Sequence, residues 1–243
     1  MKQKLIFLIL VLVFSSIPLF ADQQSDIIIV IDQSRSIREA MPAIKDYVKD
    51  RIFHDIAKEG DRIHVLSFDG QFYEQGVLSA DADKRNIEAL LASVQPVGAY
   101  TDLTNAVIEM SKYSIDKSTP GSKKIVFFMT DGLNEPPAYS PYRDGLKDDY
   151  FKKAREYFKG RGWTVFVTGI GEKTNAPELA ELLAADYVQL SSKPTSEEFD
   201  LVITEKLDKA RNATSLPILP IGIGTFIIVA AGGTSIILLK KKA

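Results

Sequence analysis

Asp26-Ile27-Ile28-Ile29-Val30-Ile31-Asp32-Gln33-Ser34-Arg35-Ser36 is the stretch on which the fold turns. The aliphatic run 27–31 is unbroken, whereas a half-exposed strand alternates apolar and polar residues; it therefore suits a central strand covered on both faces. At Asp32 the composition turns abruptly polar, and residues 37–57 then carry apolar positions at helical spacing. A buried strand that ends in a polar loop and runs into a helix is the opening unit of an α/β sheet. In such sheets, ligands gather beyond the carboxyl ends of the strands.

Further along, short β-branched runs keep alternating with longer amphipathic ones. Residues 62–68 and 72–78 flank Asp69-Gly70, a hairpin signal that predicts one antiparallel strand at the sheet edge. Helices are expected over 82–94 and 102–115, a buried strand over 124–130, a helix over 149–159 and a strand over 163–168. A helix over 176–184, a strand over 187–190 and a closing helix over 196–211 complete the pattern. The expected architecture is a three-layer, Rossmann-like α/β fold with a mostly parallel central sheet and helices on both faces.

The 243 residues carry a formal net charge of -2 with acids and bases interspersed, which provides no polyanion-binding surface and argues against nucleic acid as a partner. Cysteine is absent, which removes disulfides, thiolate metal sites and thiol nucleophiles. The ends differ from the middle. Residues 1–21 place Lys2 and Lys4 before an apolar run and reach Ser15, Ser16, Pro18 and Ala21, the layout of a secretory signal, cleaved or retained as an anchor. Residues 216–239 are apolar or small and are followed by Lys240, Lys241 and Lys242, the pattern of a stop-transfer helix with its positive end in the cytoplasm. The expected organisation is a signal at 1–21, a domain at 22–211, and a membrane anchor with a short lysine-rich tail at 212–243. The expected location is a single-pass membrane protein whose domain is extracytoplasmic, in the periplasm or at the cell surface, with a cytoplasmic C-terminus.

Polar clusters stand where the predicted strands end or helices begin: Asp32 to Ser36 after the first strand, Ala99-Tyr100-Thr101-Asp102 before a helix, and Thr130-Asp131-Gly132 after the strand over 124–130. Each has a plain structural role open to it, since Asp, Ser and Thr are favoured at helix N-caps and turns. Together they resemble the von Willebrand factor A family, in particular its metal-ion-dependent adhesion site, whose pattern is Asp-x-Ser-x-Ser, then a distant Thr, then a distant Asp. The resemblance spans roughly residues 26–211. It implies a divalent cation, Mg²⁺ with Ca²⁺ or Mn²⁺ as alternatives, with direct ligands from the hydroxyls of Ser34, Ser36 and, in some states, Thr101. Asp32 and Asp131 would hold coordinated waters. Mg²⁺ takes six oxygens in near-octahedral geometry; mostly neutral direct ligands would leave it electrophilic, ready for the carboxylate of a protein partner's Asp or Glu.

Arg35 departs from the pattern, as many relatives carry Gly between the serines; it either weakens the metal slightly or grips the same acidic ligand. Thr104 competes with Thr101 but lies within the helix. Residues 133–148 form a long loop after Asp131 with Tyr139, Tyr142 and Arg143 among prolines, suited to a recognition rim alongside Arg35. The function expected is a binding module for adhesion or complex assembly. An accessory role beside a MoxR-type AAA+ ATPase is the alternative. A metal-dependent phosphatase-like enzyme fits less well, because the haloacid dehalogenase pattern needs a second Asp where Ser34 stands, and neither His54 nor His64 lies at a predicted strand end.

Overall fold

The structure is a computed structural model and describes residues 24–82, 84–171 and 175–199. All of these lie in a single compact unit. The sheet strands are β1 (Ser25–Asp32), β2 (Arg62–Phe68), β3 (Phe72–Ser79), β4 (Lys123–Thr130), β5 (Thr164–Ile170) and β6 (Asp186–Leu190), in the order β3-β2-β1-β4-β5-β6. Only β3 runs antiparallel, paired with β2 at the edge. The other pairings are parallel. The fold is the three-layer, mostly parallel α/β arrangement expected.

Every residue of β1 is buried, because both faces of the sheet are covered. One face presents Ile27, Ile29, Ile31, Phe127 and Met129 to helical residues 37–56 and to α2 (Lys84–Ser93). The other presents Ile28, Val30, Val126 and Phe128 to α3 (Leu103–Lys117), α4 (Asp148–Gly160) and α5 (Ala176–Leu183). Phe151, Ala154 and Phe158 form the buried stripe of α4 at the i, i+3, i+7 spacing. Trp163 stacks on Phe158 at 5.2 Å, so the chain leaves α4 and enters β5 against an aromatic wall.

The stretch expected as one helix over 37–57 divides into a 3₁₀ turn at Arg35–Glu39, α1 at Met41–Asp46 and a π-helical segment at Tyr47–Ile56. Pro42 in the first turn of α1 has no N–H to continue the preceding hydrogen bonds, which makes a fresh start there. The π segment ends with the Ala57 amide bonded to the Ile52 carbonyl five residues back. Of the expected closing helix, α6 (Ser196–Phe199) is described, and the remainder lies outside the described residues.

The location expected from the ends is corrected. Among the described residues no helix is long and apolar enough to cross a membrane. The longest, α3, has 15 residues, about 22 Å at the α-helical rise against roughly 30 Å of hydrocarbon, and it carries Glu109, Lys112, Asp116 and Lys117. The segments at 1–21 and 216–239 lie outside the described residues.

Candidate metal centre

The chain crosses from β1 to β2 on one side of the sheet and returns to β4 on the other, so the strand order reverses between β1 and β4. A crevice opens at such a switch point, beyond the carboxyl ends of the two strands. Asp32 ends β1, and Asp131 follows Thr130 at the end of β4.

Asp32 is fully buried. One carboxylate oxygen accepts from the Ser34 amide at 2.8 Å and the other from the Thr130 hydroxyl at 2.7 Å. The Thr130 oxygen accepts in turn from the Gly132 amide at 2.9 Å. Ser34 Oγ lies 2.9 Å from Ser36 Oγ, and the Ser36 hydroxyl also donates to Asp131. The Asp-x-Ser-x-Ser loop and Asp131 are thus one connected set of oxygens. Burial, then the charge of Asp131, pushes the Asp32 carboxyl up to about 7. Burial likewise raises Asp131, against hydrogen bonds from the Ser36 hydroxyl and the Leu133 amide. A pair of acids this poorly solvated needs a compensating positive charge, a proton or a cation.

The donors are oxygens, two of them neutral hydroxyls, which suits a hard divalent ion. Among the described residues no group of three or more His, Asp or Glu is placed to hold a metal, and the oxygens gathered here are hydroxyls beside two carboxylates. The legible signal of the site is the spacing of the motif.

Thr101 is buried just before α3, with its amide and carbonyl paired to Glu135 at 3.0 and 2.8 Å. That bridge joins the Thr101 segment to the loop after Asp131. The helix cap is Asp102, not Thr101, and it accepts from the Asn105 amide at 3.0 Å. Thr104 is wholly buried in the first turn of α3 with its hydroxyl unpaired.

Of the expected rim, Tyr139 is 69% exposed. Tyr142 is half-buried, its ring packed edge-on against Tyr150 at 5.1 Å, and Arg143 is exposed. Arg35 is exposed and lies along the 95–98 loop, its Nε 3.4 Å from the Val97 carbonyl and its amide bonded to Gly98. A groove of about 440 Å³ runs beside Asp102, between the β2–β3 turn, α3 and the 139–141 stretch; Glu74, Glu109, Phe72 and Tyr139 line it.

Sequence reasoning overlooked the supports: Thr130 as donor to Asp32, Gln33 inside the motif, and Asp69 and Gly98 beside it. Gln33 and Thr130 stand within the polar clusters themselves; nothing in the sequence marks Asp69 beyond its turn.

A doubly wound sheet with hydroxyls and two buried carboxylates at its switch point places the chain in the class of three-layer α/β domains whose polar residues gather at the strand ends. Residues 26–211 match the von Willebrand factor type A domain, and the chain belongs to that family. An uncharacterized protein of Treponema pallidum (strain Nichols) is 27% identical over 141 residues, covering 54% of this chain and 61% of that protein's length. Among solved structures, proximal thread matrix protein 1 from the mussel byssus, with a zinc-occupied metal-ion-dependent adhesion site motif, aligns at TM-score 0.54 and 19% identity, covering 78% of this chain and 45% of that one. The von Willebrand factor domain of the type V pili tip protein Mfa5 from Porphyromonas gingivalis aligns at TM-score 0.57 and 13% identity, covering 80% of this chain and 98% of that one. At such identities the likeness is one of fold.

Proposed function

We propose that this domain is a binding module that holds one divalent cation, Mg²⁺ in preference to Ca²⁺ or Mn²⁺, and captures an acidic group of a protein partner through it. The carrying observation is the Ser34–Ser36 hydroxyl pair set against two buried carboxylates that repel one another at the switch point. Ser34, Ser36 and Thr101 would hold the ion, with Asp32 and Asp131 orienting its waters. When bound, the ion supplies an electrophilic centre for a carboxylate. The zinc found in the mussel protein's motif supports a divalent ion here, and the pilus-tip relative supports a role in protein contact.

Tyr139 and the exposed Arg35 and Arg143 would frame the incoming group, and the acidic groove would favour a basic residue beside the partner's carboxylate. A binding role rather than catalysis is supported by the place of His64. It is fully buried near the amino end of β2, bonded to Asp26 and Tyr113 at 3.0 Å each, and so cannot serve as a base beside Asp32. The test is calorimetric titration of the full chain with Mg²⁺, followed by capture from extracts of its source cells with Mg²⁺ or with chelator, on wild type and Ser34→Ala. Capture that needs Mg²⁺ and Ser34 is expected; equal capture in chelator refutes the metal bridge.

A further inference from the structure

We propose that Gln33 is a positioning residue for the cation, tying the Ser34 loop to the Thr101 segment so that hydroxyls far apart in the chain converge. The inference rests on the metal-site reading above and names a residue to which the motif assigns no ligand role.

Gln33 is buried between Asp32 and Ser34, and its polar groups are spent on holding the loop. Its amide donates to the Phe68 carbonyl at 2.8 Å, one step past the last β1–β2 pair, and its carbonyl accepts from the Gly98 amide at 3.0 Å. The side-chain oxygen accepts from the Ser67 hydroxyl at 3.0 Å, and Nε2 donates to Asp69 Oδ2 at 3.5 Å. Ser67 Oγ accepts in turn from Gln75 Nε2 at 2.7 Å, which extends the chain of bonds into β3.

Two of the four partners of Gln33, Gly98 and Asp69, lead to the Thr101 segment. Gly98 precedes Thr101 by three residues, and its own carbonyl accepts from the Arg35 amide at 2.9 Å, so the 98–101 segment is stitched to the motif on either side of Ser34. Asp69 accepts at its carbonyl from the Asp102 amide at 2.8 Å, while its carboxylate accepts from the Gln71 amide at 2.9 Å and the Tyr73 hydroxyl at 3.2 Å. The contact is too close for a side chain at residue 98: a Cβ there would sit 2.4 Å from Asp69 Cβ and 2.7 Å from its Oδ2. Gly98 is thus required by close approach rather than by a left-handed backbone. Groups behind a metal's direct ligands commonly set affinity by about 10- to 100-fold through orientation alone.

The test is Mg²⁺ titration by calorimetry on the full chain, with circular dichroism confirming the fold of each variant. Gln33→Met keeps the length and removes the side-chain hydrogen bonds to Ser67 and Asp69 while leaving the backbone ones; Gly98→Ala displaces Asp69 by overlap. Each is expected to weaken Mg²⁺ by about 10-fold or more while removing no ligand. Val48→Ala, a core truncation under the sheet, is expected to lower the melting temperature and leave Mg²⁺ affinity within twofold. The paired exchange Gln33→Glu with Asp69→Asn keeps the net charge and reverses the donor and acceptor, so it is expected to regain most of the loss. Gln33→Met binding as tightly as wild type, or Val48→Ala losing as much affinity, overturns the positioning role. Wild type failing to bind Mg²⁺ overturns the metal reading itself, an outcome distinct from both.

Discussion

Asp32→Asn in the metal-free protein is the sharpest probe of the centre. In the folded chain, burial and the charge of Asp131 raise this carboxyl from its ordinary 3.8 to about 7. Below about 3.8 both folded and unfolded chains hold the proton. Between that value and about 7 the folded chain keeps it while the unfolded chain has lost it, so the unfolded state binds fewer protons and stability falls as pH rises. The stability contributed by the protonated form is fully present below about 3.8 and is gone once the pH has passed through about 7. The displacement corresponds to roughly 4 kcal/mol, a large share of the 5–15 kcal/mol typical of a domain. For a chain of this size it amounts to a melting shift on the order of ten degrees. Urea unfolding of metal-stripped protein from pH 5 to pH 8 should show this decline, and Asp32→Asn, neutral throughout, should flatten it and be the more stable at pH 8. Mg²⁺ should reverse the wild-type decline and bind more tightly as pH rises towards 7, because proton and cation compete for the same charge. A variant with the same slope as wild type, or wild type as stable at pH 8 as at pH 5, refutes the account of a charge-starved site.

Other expectations concern the supports of the fold and the ion. Ser34→Ala should weaken Mg²⁺ by at least about 10-fold in calorimetry while changing metal-free stability by about 1–2 kcal/mol, since it removes the hydroxyl's bonds to Ser36 and Asp32. At the opposite end of the sheet, Asp26 is fully buried against His64 and Lys124, each 3.0 Å away. Burial works to raise its pKa, but hydrogen bonds from His64, Ser122, Lys124 and Thr119 overcome it and hold the carboxyl well below its ordinary range. Its contribution is therefore present above pH 3.8 and is lost as pH falls through the folded value; Asp26→Ala strands a buried lysine and should cost about 3–5 kcal/mol in urea unfolding at pH 7. Gly169→Ala should destabilise by about 1–3 kcal/mol by the same measurement, because the new Cβ would sit 2.7 Å from Tyr187 Oη, which can swing aside, and 2.9 Å from Ala176 Cβ, which cannot. It should also disturb the start of α5, whose cap residue Asn175 bonds the Gly132 carbonyl beside the centre at 3.1 Å.

Much of the fold was legible in advance because burial leaves a local trace. The run 27–31 announced a strand covered on both faces, and Asp69-Gly70 announced the antiparallel edge; both stand where they were expected. The break at Pro42 was visible as a residue, but its outcome, a 3₁₀ turn and a π segment around a short α-helix, depends on how residues 37–56 pack beneath the sheet. Thr101 illustrates the limit for the site. Its residue type served an N-cap and a metal ligand equally well, and the structure gives the cap to Asp102 and pins Thr101 by its backbone to Glu135.

The sequence by itself determined the alternation of strands and helices, the edge hairpin and the spacing of Asp32, Ser34 and Ser36, because periodicity, turn chemistry and short spacing are properties of neighbouring residues. Only the tertiary structure decided the strand order, and with it the switch point where Asp32 and Asp131 meet, a juxtaposition of residues 99 positions apart. It alone revealed that Asp32 is buried enough to be starved of charge and that Gln33, Asp69 and Gly98 hold the loops together. Desolvation and close approach are set by the atoms that fold in from elsewhere in the chain, and no local pattern records them.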